Sequence, residues 1–88
     1  MATVTIRYWA AAKEAAGIAE EEVQADTLAQ ALGVALARRP VGSRPRLRQV
    51  LSRSSFLVDG MQAGSKTPAE LVLHDRAVIE VLPAFAGG

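Results

Sequence analysis

A single long amphipathic helix pattern, set among segments that alternate like strands, most constrains the fold of this chain. Its apolar stripe consists of Leu28, Leu32, Ala35 and Leu36. Asp26 or Thr27 is suited to cap the first turn, and Pro40 ends the helix because proline cannot continue it. One apolar stripe requires one sheet face to cover it. The chain is therefore predicted to be an α+β domain with one sheet packed on one main helix.

Strand patterns surround this helix. Residues 3–9 alternate, with Val4, Ile6 and Tyr8 on one face, as in a half-buried strand. The other predicted elements are a short helix at 10–16 closed by Gly17, an acidic edge strand at 20–24, a short helix near 47–51, a hairpin at 56–63 turning at Asp59-Gly60, and a last strand at 77–82 ended by Pro83. The first and last strands are the most apolar. We expect them side by side at the centre of a mixed sheet of four or five strands.

The composition limits the chemistry available to the chain. It has 88 residues, enough for one core, and no cysteine, which excludes a disulfide framework, a cysteine-based metal site and thiol chemistry. The one histidine, His74, is a turn residue with no second ligand nearby in the pattern, so no metal and no bound cofactor are expected. No leader pattern and no apolar run of membrane-spanning length is present. We therefore expect a cytoplasmic protein without a membrane partner.

Arginine is concentrated in the middle of the chain. Residues 27–58 carry six arginines and no acidic residue, although the net charge of the chain is +1. These are Arg38, Arg39, Arg44, Arg46, Arg48 and Arg53. Such a segment can attract nucleic acid or an acidic protein surface. No aromatic residue is interleaved with the arginines, which argues against base stacking. A solvated helix and loop is favoured, and no nucleic-acid partner is expected.

The sequence ends on two glycines, Gly87 and Gly88. A glycine pair inside a fold usually makes a turn, but at the end of a chain it packs no side chain and adds no strand. It provides a thin tether without Cβ atoms, which can thread a narrow channel and present its carboxylate to another protein. We therefore expect a domain over residues 1–82 and a flexible tail over residues 83–88. The carboxylate of Gly88 is the candidate reactive group.

Two segments resemble the MoaD/ThiS family of ubiquitin-like sulfur carriers, and in particular the MoaD-type small subunit of molybdopterin synthase. Residues 78–88, which read VIEVLPAFAGG, are similar to the family's apolar strand, proline and short spacer before two terminal glycines. Residues 4–10, followed by Lys13-Glu14 and Gly17, are similar to its first strand and helix. The resemblance implies the ubiquitin-like β-grasp fold over the whole chain.

The chain departs from this family at two places before the glycines. Residues 75–77 read Asp-Arg-Ala where an Asp-Gly-Asp turn is common, and Ala84 stands where a second proline is common. Neither departure touches the carboxylate of Gly88. They concern the geometry of the turn and of the spacer.

The resemblance implies a sulfur-carrier cycle in which this chain is not an enzyme on its own. An E1-like adenylyltransferase of the MoeB/ThiF type would use ATP to adenylate Gly88, and a sulfur donor would convert the adenylate to a thiocarboxylate. The tail residues Phe85, Ala86 and Gly87 would then enter the large, MoaE-type subunit of molybdopterin synthase, within a heterotetramer. Catalytic residues are expected on that large subunit.

Strand parity predicts a partner surface on the sheet face turned away from the helix. If the first strand packs Ile6 inward, Arg7 and Trp9 face outward. The same alternation turns Leu82 of the last strand outward. The predicted interface residues are Trp9, Leu57, Leu82 and Phe85. Exposed apolar patches rimmed by charge mark interfaces. The alternative for Trp9 is a half-buried sheet residue near a strand end.

Other functions fit the same tail. The chain could carry sulfur for the thiazole of thiamin or for cysteine, although thiazole carriers tend to be shorter. It could be a ubiquitin-like modifier whose Gly88 is joined to a lysine of a target protein. It could also be a binding module in which the two glycines are incidental.

Overall fold

The structure is a computed structural model that describes residues 1–63 and 66–84. Within these residues the chain forms five strands and three α-helices. In order they are β1 (Thr3–Tyr8), α1 (Ala10–Ala16), β2 (Glu20–Gln24), α2 (Leu28–Ala37), a 3-10 turn (Val41–Ser43), α3 (Arg44–Ser52), β3 (Ser54–Val58), β4 (Met61–Gln62) and β5 (Val78–Pro83). The α+β prediction, with one mixed sheet and α2 as the main helix, is confirmed.

The two central strands of the sheet, β1 and β5, run parallel to each other. The strand order is β2-β1-β5-β3-β4, and the other neighbouring pairs are antiparallel. Ile6 lies beside Ile79, and Tyr8 lies beside Val81. The first and last strands therefore occupy the centre, and the acidic strand β2 lies at an edge, as the sequence predicts. This is the β-grasp arrangement.

One face of the sheet packs on the helices and forms the core. The central strands contribute Val4, Ile6, Ile79 and Val81, each with 0% of its surface exposed. The helices contribute Leu28, Ala31, Ala35 and Leu47, all at 1% exposure or less. Leu32 and Leu36 of the predicted stripe pack against this core but remain partly exposed. Alanines at the closest contact allow α2 to approach the sheet, and the larger leucines flank them.

The cap residues that the sequence predicts for α1 and α2 occupy their cap positions in the structure. The Oγ1 atom of Thr27 accepts a hydrogen bond from the N–H of Gln30 at 3.2 Å, so Thr27 is the cap of α2. Gly17 closes α1 with φ at 77°, a conformation that costs glycine little. The hairpin turn at Asp59-Gly60 also has two positive φ angles, 52° and 81°, as a tight β-hairpin requires. These residues therefore determine where α1 ends, where α2 begins and where the hairpin turns.

Pro83 terminates β5, as the sequence predicts, but from within the strand. It is the last residue of the strand and lies opposite Ser54 of β3. The next N–H, that of Ala84, donates to the Arg53 carbonyl, so the nitrogen of Pro83 points to the opposite side. On that side β1 has already ended at Tyr8. Proline is tolerated there because no neighbouring strand needs its missing hydrogen.

Candidate functional site

The chain leaves the described fold at the end of the central strand. We call Pro83 and Ala84 the tail exit. The Ala84 N–H donates to the carbonyl of Arg53 at 3.3 Å, and the N–H of Trp9 donates to the carbonyl of Val81 at 3.2 Å. Backbone hydrogen bonds on both sides of β5 therefore fix the direction in which the chain leaves the sheet.

The predicted reactive group and the last four residues of the predicted tail lie outside the described residues. They are Phe85, Ala86, Gly87 and Gly88. The structure instead defines the surface around their point of attachment. Three parts of that surface border the tail exit: the sheet face turned away from the helices, a cleft beside Trp9, and a groove between α1 and α3.

The sheet face turned away from the helices, here the open face, carries two of the predicted interface residues. Leu57 of β3 lies opposite Glu80 of β5, and Ser55 lies opposite Leu82. Leu57 and Leu82 are therefore diagonal neighbours on one face, within reach of each other's side chains. Both are partly buried. The structure brings them together beside the tail exit, and their binding role stays a prediction.

Trp9 lies on the other side of the central strand pair. It follows β1 instead of belonging to it, caps α1 without a side-chain hydrogen bond, and is 48% exposed. It borders a cleft of about 210 Å³ that is lined by Arg7, Tyr8, Trp9, Lys13, Ala19 and Glu20. Within it Arg7 Nε and Glu20 Oε1 are 3.7 Å apart at an exposed position. The predicted apolar patch is thus divided, with Trp9 towards β2 and the leucines towards β3.

A groove between α1 and α3, here the exit groove, reaches the tail exit on the helix side of the sheet. Its volume is about 240 Å³, and it is lined by Ala11, Gln49, Val50, Arg53, Pro83 and Ala84. The sequence analysis did not identify this groove. The available signal was the spacing of Gln49, Val50 and Arg53, which places them on one side of a helix. Their position beside Pro83, however, depends on contacts between distant segments.

A buried charged cluster stands near the start of β2. Glu21 Oε1 lies 2.6 Å from Arg39 Nη2, and the two side chains are only 7% and 11% exposed. The hydroxyl of Tyr8 donates to Glu21 Oε2 at 2.5 Å. Burial, and then the hydrogen bond to the Glu21 carboxylate, raise the pKa of Tyr8. Tyr8 therefore packs in the core, as predicted, with its hydroxyl group neutral and paired.

The two arginines after α2 contact the β2 segment. The helix ends at Ala37, and Arg38 Nη1 donates to the carbonyl of Glu22 at 2.6 Å. Arg39 Nη1 donates to the carbonyl of Ala16 at 2.6 Å. These arginines satisfy carbonyl groups at the edge of the sheet and after α1, and this role was not predicted.

A pair of titratable side chains lies at the opposite end of the sheet from the tail exit. His74 Nε2 contacts Asp59 Oδ2, while Asp59 Oδ1 accepts from the N–H of Val78 at 3.0 Å. The hydrogen bond to Asp59 raises the pKa of His74. The bond from Val78, and then that from His74, lower the pKa of Asp59. The pair ties the hairpin turn to the segment before β5.

Two features of the described residues concern metal binding and membrane insertion. Across residues 1–63 and 66–84, no group of three or more His, Cys, Asp or Glu side chains could hold a metal ion. No helix in that same part of the chain has both the length and the apolar character needed to cross a membrane.

Comparison with solved structures identifies the fold. Neither a protein-family model nor a curated protein sequence matches the chain. The small archaeal modifier protein 1 (SAMP1) of Methanosarcina acetivorans is similar to it, with a TM-score of 0.81 and 22% identity over 100% of this chain and 98% of that one. The putative molybdopterin converting factor subunit 1 of Pyrococcus furiosus gives a TM-score of 0.74 and 17% identity over 97% and 100%.

A third similar structure contains two subunits. It is the complex of subunits 1 and 2 of the molybdopterin-converting factor of Helicobacter pylori, with a TM-score of 0.64, 22% identity, and coverage of 98% of this chain and 99% of that one. At these identities the likeness establishes the fold. The chain therefore has the ubiquitin-like β-grasp fold of MoaD-type subunits and small archaeal modifiers, as the resemblance in its sequence implies.

Proposed function

We propose that this chain is a ubiquitin-like sulfur carrier whose working group is the carboxylate of Gly88. The observation that carries the proposal is the path of the chain. A strand held by hydrogen bonds on both sides delivers the backbone to the surface at Ala84, and the four residues that follow end in the glycine pair. This arrangement joins a rigid body to a tail that lacks bulky side chains at its tip.

The chemistry follows from the carboxylate. A carboxylate is a poor electrophile, so an E1-like adenylyltransferase would join it to the AMP portion of ATP and release pyrophosphate. Attack of hydrosulfide on the carbonyl carbon expels AMP and, with loss of a proton, yields the thiocarboxylate. A persulfide donor would instead form an acyl disulfide, which a thiol then cleaves to the thiocarboxylate and a new disulfide. Glycine leaves that carbonyl unhindered. The acyl adenylate, a mixed anhydride, must be shielded from water, so the tail reacts within a partner's site.

We propose the large subunit of molybdopterin synthase as the sulfur-accepting partner. The similar Helicobacter pylori structure is a complex of subunits 1 and 2 of the molybdopterin-converting factor, which supports a large-subunit partner for this chain. In that assembly, a heterotetramer in our proposal, Trp9, Leu57 and Leu82 would contact the partner, with Phe85 as an anchor in its tail channel. The catalytic residues would belong to the large subunit, and the cycle would run in the cytoplasm.

A modifier function is the second candidate. Its supporting observation is the similarity of the whole fold to SAMP1 of Methanosarcina acetivorans, a protein named as a modifier. In this case the adenylated Gly88 would be transferred to the amino group of a target lysine, with loss of AMP. The two functions share activation and differ in the final nucleophile.

Intact mass spectrometry distinguishes the candidates. The chain is incubated with ATP, an E1-like adenylyltransferase and a sulfur source, with and without a mixture of target proteins. Replacement of one oxygen by sulfur is the expected result, and covalent adducts on other proteins would instead indicate a modifier. The sulfur-loaded chain is then offered precursors of molybdopterin, thiamin thiazole and cysteine in competition, which identifies the acceptor. If neither modification is detected, only the binding-module interpretation remains.

Deletion of Gly88 provides the matched control. Because every described strand and helix ends at or before Pro83, the shortened chain should unfold at the same denaturant concentration as the full chain but should not acquire sulfur. Extension beyond Gly88 should have the same effect. Sulfur loading that survives either change would refute the proposed function.

A further inference from the structure

The structure separates the six arginines of residues 27–58 into two groups. Three of them bind the protein's own backbone: Arg38 and Arg39 contact carbonyls near β2, and Arg44 donates to the carbonyls of Ala37 and Arg39 at 3.0 Å. The other three lie on or directly after α3 and are exposed. They are Arg46, Arg48 and Arg53. Of these six arginines, the ones that make no such backbone contact therefore lie on or directly after one helix.

Two of these arginines lie on the same side of α3. Leu47 and Leu51 are buried and define the side that faces the core. Arg46 and Arg53 are seven residues apart, which is about two turns, so they share another side of the helix. Arg48 lies about 200° around the helix from Arg46 and belongs to neither of those sides. One helix thus presents a pair of arginines and a single arginine in different directions.

The side with the pair borders the exit groove. Arg53 lines the groove, and its carbonyl accepts the hydrogen bond of Ala84, the last described residue of the chain. Val50, one turn after Arg46, is partly buried and supplies apolar surface to the groove. Arg46 Nη2 lies 3.7 Å from Glu14 Oε2, but both side chains are more than 60% exposed. That contact is weak in water and can be exchanged for another carboxylate.

We propose that the exit groove, with Arg46 and Arg53, docks an acidic protein surface at the entrance of the channel that receives the tail. This inference rests on the proposed function, because it assumes a partner that takes up the tail. The guanidinium group pairs with carboxylates through two parallel hydrogen bonds, which suits an ordered contact at the channel mouth. Long-range attraction by the same charges accelerates association and aligns the tail before it enters.

The composition of the exit groove favours protein over nucleic acid. Its lining includes four apolar residues, Ala11, Val50, Pro83 and Ala84, and no aromatic side chain. A nucleic-acid site that stacks bases requires aromatic surfaces, whereas small apolar residues between two cations fit an apolar side chain flanked by acids. The groove also lies on the helix side of the sheet, apart from the open face that carries Leu57 and Leu82. A partner can therefore contact the tail exit from two directions.

Charge-reversal variants of one helix provide the test. Arg53→Glu and Arg46→Glu are compared with Arg48→Glu, which makes the same charge change on a different side of α3. The association rate constants of the full chain with the E1-like adenylyltransferase and with the large synthase subunit are measured by stopped flow at several salt concentrations. For at least one partner, we expect the first two variants to associate ~10-fold more slowly at low salt, within the range of electrostatic steering.

The control and the salt series decide the outcome. Arg48→Glu should stay within about 2-fold of the wild-type rate, and the difference between the variants should shrink as salt rises. Melting temperatures monitor folding, and Arg46→Gln and Arg53→Gln replace any charge-reversal variant that does not fold. Replacing acidic residues at the partner's channel entrance by arginine should restore the rate of Arg53→Glu.

Several results would overturn the inference. Equal rates for all three variants with both partners would remove the docking role while leaving sulfur loading of the wild-type chain intact. Binding of a single-stranded RNA or duplex DNA oligonucleotide that is lost in Arg46→Glu and Arg53→Glu would assign the groove to nucleic acid. A wild-type chain that binds neither protein and acquires no sulfur would reject the proposed function, and this surface with it.

Discussion

The two faces of the sheet differ in what they contribute. On the face that packs against the helices, Ile6, Ile79 and Val81 have no exposed surface. On the open face the alternating partners are a charged residue, Glu80, and a partly buried leucine, Leu82. Adjacent residues of one strand therefore serve different purposes. The first face stabilises the fold, and the second remains available for contact with another protein.

The largest expected effect concerns the core face. Ile79→Ala should lower the free energy of unfolding by about 2–5 kcal/mol, because it removes buried methylene groups and leaves a cavity. Glu80→Ala, the next residue on the open face, should change it by less than about 1 kcal/mol. Urea unfolding measures both. Similar losses at the two positions would show that both faces are equally important for stability.

A smaller loss in the free energy of unfolding is expected where a charged residue lies on the core face. Glu21→Gln should cost about 2 kcal/mol, because it leaves the nearly buried guanidinium of Arg39 without its counter-ion. Glu22→Gln is the matched control, since the neighbouring side chain is exposed and should contribute within about 0.5 kcal/mol. Thermal or urea unfolding at neutral pH compares the two. A stable Glu21→Gln variant would mean that Arg39 is adequately solvated without the carboxylate.

The sequence contains enough information to predict the sheet and its centre but not this cluster. Alternation in residues 3–9 and the apolar run at 78–82 were sufficient because each pattern is local. Glu21 was included in a solvated acidic run, although it shares the parity of Val23 and therefore faces the core. Parity alone could have indicated its direction. Its partner Arg39 could not be identified, because the contact joins segments that are distant in sequence.

The same limit applies to the surface around the tail exit. Strand parity correctly placed Leu57 and Leu82 on one face, since both lie in regular strands. Trp9 was assigned to the end of β1, but the chain turns there into α1, and the side chain borders a different cleft. The exit groove requires α1 and α3 to pack beside Pro83. Such a site depends on tertiary packing, which no single periodic pattern encodes.

On the open face and at the separate Trp9 cleft, the expected effect is on binding and not on stability. Leu82→Ala and Trp9→Ala should each lower affinity for the large synthase subunit ~10-fold or more if they are central to the interface, while the free energy of unfolding falls by less than about 1.5 kcal/mol. Calorimetric titration and urea unfolding give the two values. Gln24→Ala, on the same face at the far end of the sheet, is the control for both. A loss of stability equal to the loss of binding energy at Trp9 would assign that residue to the core.

The smallest expected effect belongs to the exposed pair of Asp59 and His74, which lies on neither face. Both nitrogens of the His74 ring face acceptors, Asp59 Oδ2 and the carbonyl of Asp75, an arrangement that only the protonated ring satisfies with two donors. The carboxylates of Asp59 and Asp75 both raise the pKa of His74, so its contribution to stability is complete below the unfolded value of 6.5. It is lost as pH rises through the folded pKa.

Asp59 titrates in the opposite sense. Its pKa lies below the ordinary value of 3.8, so its contribution is present above that pH and is lost as pH falls through the folded pKa. The pair should therefore stabilise the hairpin most between about pH 4 and 6.5. Melting temperatures of the wild-type chain and of His74→Gln, compared at pH 5.5 and pH 8.5, measure this contribution. We expect the small advantage of the wild type at pH 5.5 to be lost at pH 8.5, since solvent screens an exposed pair. An advantage that persists at pH 8.5 would mean that the neutral ring supports the turn through its hydrogen bonds alone.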